Sequence, residues 1–161
     1  MGQRIALFNG GKIEQVGEPL TLYNEPKNEF VAGFMGTPRI NFLPVKVDAV
    51  AKALLIQGQP MHGQLSEPWS WSLASAAVKI GVRPEHWALG APGQGLPGKL
   101  ALVEHLGDAV YLHVQLAGAS DMTCVKLSVL SQHFDQGENL WLLPDLQRAV
   151  WFDASQNRLP L

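Results

Sequence analysis

Charged residues, cysteine and long apolar runs are all scarce in this 161-residue sequence, and each shortage excludes a class of protein. Hydrophobic residues make up 47% of the chain and charged residues only 16%, a balance typical of packed globular proteins rather than disordered ones. The formal net charge is −2 and no run of Lys or Arg occurs, so neither nucleic acid nor an anionic membrane surface is an expected partner. Cys124 is the single cysteine, so an intrachain disulfide is excluded and a cytoplasmic setting fits.

Targeting and membrane signals are also lacking. No apolar stretch approaches the roughly 20 residues that a membrane-spanning helix needs. The N-terminal residues Met1–Arg4 do not begin the apolar segment of a signal peptide. We therefore expect a soluble cytoplasmic chain, long enough for one domain of ordinary size and part of another.

Motifs of catalysis and metal binding are missing as well. Gly10-Gly11-Lys12 is followed by Ile13 and not by the Ser or Thr of a phosphate-binding loop, so it predicts a hairpin turn. The five histidines show no metal-ligand spacing, although His105 and His113 approach each other across a predicted hairpin; the histidines are His62, His86, His105, His113 and His133. Cys124 lies within a predicted strand, where a small buried hydrophobe is expected. The sequence predicts no catalytic residue, no metal site and no cofactor site.

The first forty residues predict a hairpin followed by two short helices. Arg4–Phe8 and Lys12–Val16 are strand candidates joined at Asn9-Gly10, and Pro19 suits the first position of a helix. So small a unit cannot bury enough apolar surface to fold alone, so this segment is expected to be the end of a domain whose beginning is missing.

The second of these helices has both a start and a stop signal. Asn28 is its predicted N-cap, and Gly36-Thr37-Pro38 ends it. Phe30, Val31 and Phe34 lie on one predicted face. We expect the apolar residues Phe30, Phe34 and Phe42 either to pack on the following β region or to remain exposed.

The remainder of the chain predicts a small β-barrel or sandwich. Ala109–Leu116 alternates apolar and polar residues, and Lys99–Leu106 precedes it across Gly107-Asp108, which indicates a hairpin. Further strand candidates are Pro44–Val50, Ala53–Gln57, Trp69–Leu73, Val78–Arg83, Thr123–Val129, Leu140–Leu143 and Ala149–Phe152. Many short strands separated by Gly and Pro are typical of this class. Gly90–Gly98 is expected to be a loop that divides the β region into two lobes.

Two further motifs have a structural and a functional interpretation. Trp69 and Trp71 share one face of a strand, where core packing or a protein interface is favoured over base stacking, because no basic groove accompanies them. Arg83, Pro84 and Glu85 predict a corner, because proline lacks the N–H that the sheet needs, and the opposite charges of Arg83 and Glu85 could pair there.

Three segments together resemble the ATP-binding subunits of ABC importers, most closely the maltose and glycerol-phosphate type. The end of that family's nucleotide-binding domain is similar to Arg4–Gly17 with Pro19 and Tyr23, and to Phe30–Leu43. The family's regulatory domain carries segments similar to Gly81–His86 and Val103–Gly107, and it ends near a motif like Phe152-Asp153 with Arg158-Leu159.

The resemblance implies a division into two parts and a role for each. Residues 1–42 would be the C-terminal end of a nucleotide-binding domain, and residues 43–161 an OB-like regulatory domain of the TOBE type. It implies a regulatory and dimerising function without ATPase motifs in this sequence, while the longer parent uses ATP and Mg²⁺. The implied partners are a second copy, permease subunits at the inner face of the membrane, and a regulatory protein or small ligand.

An alternative function is a barrel that senses a small anion or sugar. Such a site needs a concave polar surface, for which Arg83 or Lys99 could supply charge. Single-stranded nucleic acid is a weaker alternative, because the charge balance is acidic.

Overall fold

The computed structural model describes residues 3–61, 74–128 and 133–160. The fold is mainly β, an OB-like small barrel preceded by a hairpin and two short helices. This fold class is the one that the sequence predicts. No helix in the described ranges is both long and apolar enough to span a membrane. The predicted strand Trp69–Leu73, with Trp69 and Trp71, lies outside the described residues, as do His62 and Val129.

The hairpin consists of β1 (Ile5–Asn9) and β2 (Lys12–Gly17). Asn9 still pairs with Lys12, so the two residues of the turn are Gly10 and Gly11. Their φ angles are 55° and 79°. The predicted turn at Asn9-Gly10 is therefore wrong by one residue. Two adjacent positive φ angles are needed in this turn, and two glycines adopt them with less strain than Asn followed by Gly.

Two single-turn helices follow, α1 (Pro19–Asn24) and α2 (Glu29–Phe34). The predicted N-cap is confirmed, since the Asn28 side chain accepts a hydrogen bond from the Val31 N–H at 3.0 Å. Val31 and Ala32 of α2 are buried, whereas Phe34 is 62% exposed, which is one of the two outcomes expected for it. In so short a helix, Val31 packs toward the hairpin and Ala32 toward the barrel, which turns Phe34 away from both.

The barrel consists of two antiparallel sheets. The five-stranded sheet has the order β10-β9-β8-β11-β7, with β7 Trp87–Leu89, β8 Leu96–Leu106, β9 Ala109–Leu116, β10 Thr123–Ser128 and β11 Asn139–Pro144. The six-stranded sheet has the order β13-β12-β6-β3-β4-β5, with β3 Asn41–Asp48, β4 Ala53–Ile56, β5 Gln59–Pro60, β6 Lys79–Val82, β12 Val150–Phe152 and β13 Arg158–Leu159.

The segment Gly90–Gly98 does not divide the β region into two lobes. It connects β7 to β8, and β11 pairs with both of these strands in one sheet. Its last three residues, Leu96–Gly98, already belong to β8. The prediction is wrong because a glycine-rich loop indicates a turn but does not determine which strands the turn leaves in the same sheet.

The main core draws residues from both sheets, and its fully buried members include Ile56, Ile80, Leu112, Val125 and Leu142. Two smaller clusters connect the N-terminal segment. Leu7, Leu22 and Val31 form a separate cluster within the hairpin and helices. A third cluster joins Ala32 of α2 to the barrel through Phe152, whose ring meets that of Phe42 edge to face at 5.9 Å.

Candidate functional site at the Arg83 corner

The site forms where β6 leaves its sheet. Val82 ends β6, Arg83 follows in extended conformation, and Pro84 begins a single 3-10 turn, Pro84–His86. Because proline has no N–H and fixes φ, the strand cannot continue through it. Arg83 and Pro84 are buried at this corner, whereas Glu85 is exposed.

The Arg83 guanidinium caps the C-terminal ends of both helices. Nη2 donates to the Tyr23 carbonyl of α1 at 2.8 Å, and Nη1 donates to the Ala32 carbonyl of α2 at 3.1 Å and to that of Met35. Carbonyls in the last turn of a helix have no partner within the helix and carry partial negative charge. A single side chain of the barrel, 2% exposed, therefore satisfies carbonyls of both helices.

Tyr23 completes the site from the helical side. Its ring lies against the guanidinium, 3.9 Å from the ring centroid to Arg83 Cζ, and its hydroxyl donates to Glu85 Oε1. Burial, together with the hydrogen bond to Glu85 and the charge of that carboxylate, raises the pKa of Tyr23 to about 12. Burial lowers the pKa of Arg83, but a guanidinium stays protonated in proteins. Arg83 and Glu85 thus meet through Tyr23, and the pairing expected between them is replaced by these two contacts.

Gly36 leaves the space that this arrangement needs. A Cβ at Gly36 would stand 2.9 Å from the Tyr23 ring and 3.3 Å from Arg83 Nη1, and φ there is +101°. Any other residue would collide with the ring and adopt a strained backbone. The sequence identifies Gly36 as a helix stop, but it gives no signal that the stop also makes room for a tyrosine–arginine pair.

A buried amide connects the two sheets next to the corner. Asn41 Nδ2 donates to the carbonyls of Val82 and Cys124, at 3.0 and 2.8 Å, and Asn41 Oδ1 accepts from the Cys124 N–H at 2.8 Å. Asn41 is only 8% exposed, and all three bonds join distant parts of the sequence. Burial raises the pKa of the Cys124 thiol to about 11, so this cysteine stays protonated at neutral pH. Sequence analysis did not single out Asn41 as a functional residue.

The charges suggested for a ligand site do not come together. The Arg83 guanidinium is buried and engaged by three carbonyls, so the expectation that it could bind a ligand is wrong. Lys99 is exposed and lines a separate open pocket of about 730 Å³. His113 does not approach His105; its Nε2 lies 2.7 Å from Glu104 Oε2. No group of three potential metal ligands occurs among the described residues.

Comparisons with known proteins agree with the fold. Residues 80–152 match the TOBE domain family, a stretch that includes Arg83, β12 and β6 except its first residue. The chain is 37% identical to an uncharacterized ABC transporter ATP-binding protein of Sinorhizobium fredii, over 96% of this chain and 40% of that protein. It is 34% identical to an sn-glycerol-3-phosphate import ATP-binding protein of Agrobacterium fabrum, over 73% of this chain and 31% of that protein.

A maltose/maltodextrin import ATP-binding protein of Yersinia pestis is 37% identical, over 72% of this chain and 32% of that protein. The chain thus spans about a third to two fifths of the length of these relatives. Together with the TOBE match, these similarities confirm the resemblance seen in the sequence. The chain belongs to the ABC transporter ATP-binding proteins and corresponds to their C-terminal, TOBE-containing part.

Proposed function

We propose that this chain is the regulatory and dimerising C-terminal domain of the ATP-binding subunit of a bacterial ABC importer for a sugar or sugar phosphate. The observation that carries this proposal is the capping of both helices by Arg83. A regulatory domain has to be attached firmly to the part that it regulates, and a buried guanidinium shared between the two parts provides that attachment. A movement of the barrel is then transmitted to the helices. A bound regulatory protein or ligand would favour one arrangement of the barrel relative to the helices.

The proposed boundary places residues 1–42 at the end of a nucleotide-binding domain and residues 43–161 in the TOBE regulatory domain. The separate buried cluster of Leu7, Leu22 and Val31 supports it. So does the exposed apolar surface of the hairpin and helices, which consists of Phe8, Ile13, Val16, Leu20 and Phe34. Such a surface is suited to packing against the remainder of a nucleotide-binding domain.

In this proposal the longer subunit binds ATP and Mg²⁺ and docks on permease subunits at the cytoplasmic face of the membrane. This 161-residue sequence contributes no phosphate-binding loop, since Ile13 and not Ser or Thr follows Gly10-Gly11-Lys12. We expect no ATP turnover by the purified chain. Phosphate release above that of a buffer control, retained through two different purification schemes, would contradict this part of the proposal.

The proposed dimer contact uses the outer face of β8, β9 and β10. Leu102 and Leu106 on this face are 50% and 60% exposed, and Tyr111 and Lys126 lie between them in the register of the sheet. β10 is also the edge strand of its sheet, where the Asn41 side chain bonds both backbone groups of Cys124. A two-fold contact would bury the same leucines on both copies.

Sedimentation velocity over a range of protein concentrations tests the dimer. We expect reversible dimerisation that Leu102→Glu weakens by about tenfold or more, because a charged side chain would then replace a leucine that the contact buries. Val50→Glu is the matched control, since Val50 is 97% exposed in the turn between β3 and β4. A monomer at every concentration, or equal effects of the two variants, would contradict the dimerising role.

A second candidate function is a barrel that senses a sugar. It is favoured by the pocket of about 730 Å³ that Lys99, Gln115 and Trp141 line, because an aromatic ring beside polar side chains suits a sugar. Calorimetry with maltose and with glycerol decides between the sugar-sensing barrel and the dimerising domain. Saturable binding that Trp141→Ala abolishes would favour the sensor over a purely dimerising domain.

A further inference from the structure

A polar pocket of about 360 Å³ lies where the helices meet the barrel. Four elements contribute its polar lining: Asn24 from α1, His86 from the 3-10 turn at the corner, Gln147 and Arg148 from the turn before β12, and Arg158 from β13. This volume is within the range of pockets that hold small ligands. The pocket is separate from the Arg83 guanidinium and from the pocket beside Lys99.

The charge of this pocket is positive. Arg148 and Arg158 both line it, and its lining contains no carboxylate. Arg158 is half-buried, and its side chain has no hydrogen-bond or ion-pair partner among the described residues. Arg148 Nε lies 3.6 Å from Asp145 Oδ2, and Asp145 lines a neighbouring pocket that shares His86 and Arg148 with this one.

We propose that this pocket binds a small phosphate-type anion, held between the guanidinium groups of Arg148 and Arg158. Guanidinium groups present N–H pairs that match the oxygen spacing of phosphate, and the amides of Asn24 and Gln147 can donate further hydrogen bonds. The ligand is either free phosphate or the phosphate group of a small phosphomonoester. It would connect Asn24 of the helical segment to Arg158 of the barrel. The anion would thereby strengthen the joint, meaning the set of contacts, including those of Arg83, that attach α1 and α2 to the barrel. Binding does not depend on the proposed dimerisation.

His86 provides a local reporter of the bound anion. Burial lowers the pKa of His86, and the charges of Arg148 and Arg83 lower it further, while Glu85 and Asp145 act in the opposite direction. The ring atom Nδ1 is buried without a hydrogen-bond partner among the described residues. A negative charge bound beside the ring would stabilise the imidazolium and raise the pKa of His86.

The test titrates inorganic phosphate into the whole chain at constant ionic strength, with chloride as the reference salt. We expect saturable binding by calorimetry and a higher pKa of His86 by NMR when phosphate is present. Arg158→Gln should weaken phosphate binding about tenfold, because it removes one charge-assisted contact. Arg4→Gln makes the same change of net charge at an exposed site in the N-terminal residues and should leave the affinity unchanged.

Three results would overturn the proposal: no saturable binding, equal weakening by Arg158→Gln and Arg4→Gln, or an unchanged pKa of His86. If Arg158→Gln disturbs β13, Arg148→Gln takes its place, since the Arg148 side chain is 68% exposed. Glycerol 3-phosphate in place of inorganic phosphate distinguishes the two sources, because the tighter ligand identifies whether the ester or the free ion belongs in the pocket. A failure of dimerisation leaves these measurements unaffected, so the two proposals fail separately.

Discussion

The N-terminal segment and the barrel of this chain are stabilised in different ways. The barrel has one large core to which both sheets contribute, with Leu112, Val125 and Leu142 fully buried. The hairpin and helices have a cluster of three buried residues and leave Phe8 and Phe34 each 62% exposed. The segment is therefore too small to fold by apolar burial alone and depends on contacts with the barrel.

The contacts that the barrel supplies are mostly polar. Arg83 caps both helices, Lys79 Nζ lies 2.6 Å from Glu29 Oε1, and Arg158 N donates to the Lys27 carbonyl at 3.1 Å. Among the described residues, apolar packing between the two parts comes from the cluster around Ala32 and Phe152. A joint of this composition fixes the direction of the helices precisely while burying little apolar area, which suits a connection that transmits movement.

The largest effect is expected from truncating the same side chain in each part. Leu112→Ala should lower the free energy of unfolding by about 4 kcal/mol and Leu22→Ala by about 2.5 kcal/mol, because a small cluster at the edge relaxes around a cavity more easily. Both residues are fully buried in the native chain. Urea denaturation measures both values. Equal losses would mean that the two clusters form one cooperative core, and that the N-terminal segment is not less strongly stabilised than the barrel.

A smaller but more local effect is expected at the joint. Arg83→Met should lower the free energy of unfolding by about 3 kcal/mol, because three helix-terminal carbonyls lose their donor. Native-state hydrogen exchange should then show the amides of α1 and α2 exchanging faster, while those of β9 keep their protection.

Arg83→Lys and Arg4→Met are the controls for the joint. Lysine keeps the charge but cannot reach three carbonyls with a planar fork, so an intermediate loss is expected. Arg4 is exposed, and its replacement should change stability by less than about 0.5 kcal/mol. Uniform loss of protection throughout the Arg83→Met chain would show that Arg83 stabilises the whole fold and not the joint.

Local signals in the sequence predicted the elements well. The alternation in Ala109–Leu116 gives the bounds of β9 as the structure has them, and the start signals Pro19 and Asn28 lie at the starts of their helices. The sequence does not predict β5, β7 or β13, because strands of two or three residues are too short to show alternation. Where a pattern extends over several residues, the sequence alone was sufficient.

The joint could be predicted only in part. The corner at Pro84 follows from proline chemistry, but the partners of Arg83 lie 48 to 60 residues away along the chain. The bonds of Asn41 to Cys124 span 83 residues. No local pattern distinguishes a buried arginine that caps two helices from an exposed one that pairs with its neighbour. The sequence leaves both outcomes open for Phe34, packed or exposed, because its surroundings depend on tertiary packing.

The smallest expected effect is a change in titration at Tyr23. The pKa of Tyr23 is raised from 10.0 to about 12 in the folded chain, first by burial and then by Glu85. A raised pKa favours the protonated form in the folded state, so this contribution to stability is complete below pH 10 and is lost as the pH rises toward 12. The chain has one other tyrosine, Tyr111, so phenolate absorbance of a Tyr111→Phe chain reports Tyr23 alone.

Glu85→Gln in that background separates the two causes. The substitution removes the charge and weakens the hydrogen bond, so the pKa of Tyr23 should fall toward 10, while the part due to burial remains. Gln3→Glu adds a charge at an exposed position before the hairpin and serves as the control, with no expected change at Tyr23. If Glu85→Gln leaves the titration unaltered, burial alone holds the Tyr23 proton, and the barrel then contacts this helix through Arg83 and not through the carboxylate. The contact between the barrel and α1 would in that case depend on Arg83, while the Lys79–Glu29 ion pair and the packing of Ala32 on Phe152 would still hold α2.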